Sequence, residues 1–69
     1  MDKKNSVEIA YQNATELIHK KEYKQAVIQL NEIIKVFPNE LNSIYLLIDC
    51  FIKLNNPIKA LEFTHKALE

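Results

Sequence analysis

Residues 19–40 read HKKEYKQAVIQLNEIIKVFPNE. Apolar side chains recur in this stretch at Tyr23, Ala26, Val27, Leu30, Ile33, Ile34 and Phe37, a spacing of three and four that lines them up on one face of an α-helix. Pro38 ends the helix, because its ring disfavours the α region for the residue before it. Upstream, Val7, Ala10, Tyr11, Ala14, Leu17 and Ile18 share the apolar face of an earlier helix, with Glu8, Gln12, Thr15, Glu16 and His19 opposite. Asn5 stands three residues before Glu8, the spacing of a capping box. The first helix is therefore expected to run from near Ser6 to Lys21, with residues 1–5 as a disordered arm.

Downstream, Asn39 is placed to cap a third helix from Leu41 to Leu54. Asn55, Asn56 and Pro57 make the next break. Asn tolerates the left-handed conformation that ends a helix and also serves as an N-cap, and Pro suits the first helical position. A fourth helix runs from Pro57 to the chain end. Connections of two to four residues force consecutive helices into antiparallel neighbours.

Composition narrows the function. The 69 residues hold nine Lys plus Arg against nine Asp plus Glu, so the formal charge is zero and the electrostatic footprint of a nucleic-acid or anionic-membrane binder is missing. The absence of Gly removes phosphate-cradling loops. No stretch approaches a membrane span, the N-terminal residues lack an apolar signal region, and the lone Cys50 forms no internal disulfide. The expectation is a cytoplasmic, all-α protein with no nucleic-acid or membrane partner.

Ala26 and Ala60 lie 34 residues apart, each near the start of a helix that follows an amphipathic one. Thirty-four is a repeat period. Sliding residues 7–35 onto 41–69 also aligns Tyr11 with Tyr45 and Ile18 with Ile52. The chain resembles the tetratricopeptide repeat (TPR) family over residues 7–69, with Leu17, Ala26, Leu30 and Pro38 fitting its pattern in the first unit and Phe51, Ala60 and Ala67 in the second. Departures are Ala10 at the Trp-type position, Ile48 where a small residue is usual, and Thr64 in place of an aromatic. The resemblance implies two antiparallel helix-turn-helix units, residues 6–38 and 39–69, stacked as a short right-handed solenoid, the second unit without its exit Pro or a capping helix. It further implies a protein–protein interaction module, with the first helix of each unit lining a concave face that binds a protein or peptide segment. Tyr11, Thr15, Asn42, Tyr45, Asp49 and Lys53 fall on that face. The two tyrosines suit a groove, offering a large contact area and a polar tip. They equally suit plain packing with the hydroxyl in water. Asp49 and Lys53 also have the spacing of an ordinary i,i+4 ion pair.

Between Ile44 and Leu54 only Asp49 and Lys53 are polar, and a helix apolar nearly all round is expected to be buried nearly all round. Two units offer too little cover for that. Leu47, Leu54, Leu61 and Leu68 are the expected bare surface, which implies a self-assembly element closing as a homodimer through the uncapped C-terminal end. No chemistry competes with binding. Cys50 falls in the apolar arc of the third helix, and His19, His65, Lys20 and Lys21 fall on polar faces. No nucleophile with a base, carboxylate pair or metal-ligand cluster stands out, so the expectation is a protein that is not an enzyme and carries no metal and no cofactor.

Overall fold

A computed structural model describes residues 3–68, which form four α-helices: α1 (Lys3–His19), α2 (Tyr23–Val36), α3 (Leu41–Lys53) and α4 (Pro57–Leu68). Helix α1 packs on α2, α3 on α4, and α2 on α3, giving two helix-turn-helix pairs joined through their inner helices. The principal extents are 36 × 30 × 13 Å. The short third dimension makes the arrangement a flat slab with two broad faces.

The first helix starts earlier than its apolar stripe indicates. Lys3, Lys4 and Asn5 belong to α1, so the expected arm is corrected to helix over those residues, and residues 1 and 2 lie outside the described part. Asn5 is thereby inside the helix rather than its cap. The cap of α3 also moves by one residue: Glu40 is extended (φ −75°, ψ 100°) and its carboxylate accepts from the Ser43 N–H at 2.7 Å, doing from one position later what was expected of Asn39. Asn56 does cap α4, its amide oxygen accepting from the Lys59 N–H at 3.3 Å.

The turns within the two pairs repeat each other. Lys21 sits at φ 63°, with its N–H donating to the Ile18 carbonyl and the Glu22 N–H to that of Leu17. Thirty-four residues later Asn55 sits at φ 59°, with its N–H donating to Ile52 and the Asn56 N–H to Phe51. This is the Schellman arrangement, in which one left-handed residue satisfies the last carbonyls of the helix. The 34-residue period of the sequence is thus also a period of backbone geometry.

The core gathers Ala14, Ala26, Leu30, Ile33, Leu47, Cys50, Phe51 and Ala60. Ala26 and Ala60 are both buried, and their small side chains suit close approach between the helices of each pair. Phe51 of α3 stacks on Phe63 of α4 with ring centroids 5.6 Å apart. The expectation that α3 is buried nearly all round is corrected: Leu41, Tyr45 and Ile52 are exposed, because the slab leaves one of its faces open. Leu47, expected on the bare surface, is wholly buried in the core. Leu54 is half-buried and lines a shallow pocket with Lys21 to Gln25, on the side of α3 that meets the first pair. Leu61 and Leu68 alone of the four are exposed.

Candidate functional site

A concavity lies between the N-terminal half of α1 and the turn from α2 to α3. Its walls are Val7, Glu8, Tyr11 and Gln12 on one side and Phe37, Glu40 and Asn42 on the other, around an open volume of about 590 Å³. Pro38 explains why Phe37 is there. The residue before proline avoids helical backbone, and Phe37 adopts φ −128° and ψ 85°, which carries its ring off the apolar stripe of α2. The ring is 42% exposed rather than buried as the periodicity indicates. Tyr11 is half-buried, packing against the core along one edge while facing the groove.

Of the six residues expected on a concave face, the groove brings together Tyr11 and Asn42. Thr15 is turned inward on its own helix, its hydroxyl donating to the Gln12 carbonyl at 2.8 Å. Tyr45, Asp49 and Lys53 are exposed along α3 and do not line the groove. Asp49 and Lys53 form no ion pair among the described residues, where the ion pairs present are Glu32–Lys35 and Lys59–Glu62. Periodicity assigned Val7 to the core side of α1, Glu8 and Gln12 to the opposite side, and Phe37 to the buried stripe. It did not single out Glu40. Only the pre-proline position of Phe37 signals its departure from that stripe.

The groove is chemically one-sided. Val7, Tyr11 and Phe37 supply apolar surface, Gln12 and Asn42 supply amides, and Glu8 and Glu40 supply carboxylates, with no Lys, Arg or His among the described lining residues. One oxygen of Glu40 is committed to the α3 cap, which leaves Glu8 as the free carboxylate of the wall. Elsewhere, burial pushes the Cys50 thiol up to about 11, with Asp49 adding a smaller push in the same direction. It is therefore a protonated packing residue at neutral pH. Ser43 is buried two turns earlier on α3, and its hydroxyl has no hydrogen-bond partner among the described residues. No group of three His, Cys, Asp or Glu among the described residues is arranged to hold a metal ion. No described helix is long and apolar enough to cross a membrane.

The class these features define is an all-α protein of two helix-turn-helix pairs with an acidic, partly aromatic groove. No family model, no curated protein and no solved structure matches the chain.

Proposed function

We propose that the chain is a two-unit TPR-type binding module that takes a protein segment in the groove between α1 and the α2–α3 turn. The observation that carries this reading is the groove lining: exposed aromatic and aliphatic surface from Val7, Tyr11 and Phe37 beside the Glu8 carboxylate, which forms no ion pair among the described residues. Such a lining suits a segment that places an apolar side chain against the Phe37 ring and a Lys or Arg next to Glu8. Asn42 and Gln12 can fix register by hydrogen bonds to the segment's backbone. The repetition of the Schellman turn at a 34-residue offset supports the TPR assignment, and with it the stacking of the two pairs as a short solenoid.

Selection of binders from a random peptide library on the immobilised chain tests the proposal. Enriched sequences are expected to pair a basic residue with a large apolar one. Their affinity is expected to fall about tenfold on Phe37→Ala, an anchor loss of roughly 1.4 kcal/mol, and to lose salt dependence on Glu8→Gln. Both side chains are on the surface, so far-UV circular dichroism should be unchanged. Enrichment of acidic sequences, or binding indifferent to both substitutions, refutes the reading.

A further inference from the structure

The 34-residue correspondence allows the two pairs to be compared position by position. Tyr11, Ile18, Val27 and Ile34 of the first pair are half-buried and pack against the core. Their counterparts Tyr45, Ile52, Leu61 and Leu68 are 55%, 60%, 58% and 81% exposed. Each pair packs its own two helices together, and the two pairs meet chiefly where α2 packs on α3, a contact for which the outer side of α4 has no counterpart among the described residues. The second pair carries the same apolar surface, and no described residue covers it. We propose that this C-terminal flank is the interface of a two-fold homodimer, in which each copy covers the other's flank.

Three observations favour a second copy of this chain as the occupant. The four side chains offer on the order of 500 Å² of apolar surface, against roughly 800 Å² per partner in a standard interface, so they form the apolar centre of one of ordinary size. Ile58, 73% exposed, extends the row along α4 as Ile58, Leu61, His65 and Leu68, the three-four-three spacing by which two helices pair. The chain has zero formal charge, Lys59 and Glu62 of α4 are paired with each other at 3.6 Å, and the exposed Asp49 and Lys53 beside Tyr45 and Ile52 carry opposite signs, so the flank presents no excess of one charge to a like surface.

The symmetry of the contact follows from the other end of the slab. The face of α3 that covers the first pair is Ser43, Leu47, Cys50 and Leu54; the matching positions of α1 are Ile9, Asn13, Glu16 and Lys20, all exposed. Docking α1 of another copy in the place of α3 would desolvate the charges of Glu16 and Lys20 where α3 presents Cys50 and Leu54. Head-to-tail growth is therefore blocked, and the bare flank meets its own kind, closing at two. None of the flank residues lines the groove, so this inference goes beyond the binding reading and does not rest on it.

Sedimentation equilibrium on the full chain up to about 100 µM tests it, a range that reaches weak dimers. The expected result is twice the chain mass for the parent protein and for Ile9→Glu and Phe37→Ala, and the single-chain mass for Leu61→Glu and Leu68→Glu with helicity retained. A parent chain that stays single throughout overturns the proposal. So does growth beyond two copies, or a dimer that survives both α4 substitutions.

Discussion

Leu47 and Leu61 are both leucines of the second pair, and both were expected on a bare surface. The structure separates them: Leu47 has no exposed surface, whereas Leu61 is largely exposed. Truncating Leu47 to alanine removes a side chain from the seam between α2 and α3, in surroundings that include Leu30, Ile33 and Cys50 of the same cluster. Sealed sites of this kind lose about 2.7–5 kcal/mol on Leu→Ala. At roughly 0.05–0.15 kcal/mol per residue, a chain of this length has only about 3–10 kcal/mol to lose. Leu47→Ala is therefore expected to leave the protein barely folded, with Tm lowered by at least about 10 °C at 4–8 °C per kcal/mol. Leu61→Ala removes a side chain mostly in water from a helix that alanine favours, so in the monomer it should change stability by less than about 1 kcal/mol. Urea unfolding followed by far-UV circular dichroism measures both, at a concentration low enough for single chains. A Leu47→Ala loss below about 1 kcal/mol, or equal losses at the two sites, refutes the placement of α3 and with it the distinction between the seam and the flank.

Lys21 holds a left-handed conformation that penalises a Cβ, so Lys21→Gly should raise stability by roughly 0.5–1 kcal/mol in thermal melts, and Asn55→Gly by less because Asn tolerates that region. A loss at Lys21 would contradict the turn geometry. The unpartnered hydroxyl of Ser43 leads us to expect Ser43→Ala to stabilise by about 1 kcal/mol in urea titrations, and a comparable destabilisation would mean that the hydroxyl has a partner. Cys50 has a folded pKa of about 11 against 9.0 for the free thiol. The folded state thus holds the proton more tightly; this contribution is complete below pH 9 and is lost as pH rises from 9 towards 11, by about 2–3 kcal/mol. Cys50→Ala should flatten that alkaline decline, and an unchanged slope would assign it to other groups.

The number, type and approximate limits of the helices were legible in the residues, because helical periodicity, Pro38, Pro57 and the Asn pair act over one or two turns of chain. Tyr11 and Asn42, two of the seven residues lining the groove, were reached only through the resemblance to TPR units, which places the first helix of each unit on one face. Phe37 was misplaced because two local rules compete there: its periodicity points inward, and the proline after it turns the backbone outward. Helix ends shifted because cap geometry depends on which of several polar side chains reaches an N–H first, as Glu40 does ahead of Asn39.

Burial on α3 could not be settled from the residues. With apolar side chains nearly all round, its sequence names no inner face, and only the positions of α2 and α4 decide that Leu47 is sealed while Tyr45 and Ile52 face water. The sequence by itself determined an all-α chain with a 34-residue period, because these signals are written in neighbouring residues. The tertiary structure decided which apolar surface is spent inside and which faces solvent, because exposure depends on residues far apart in the chain that meet only when the helices pack.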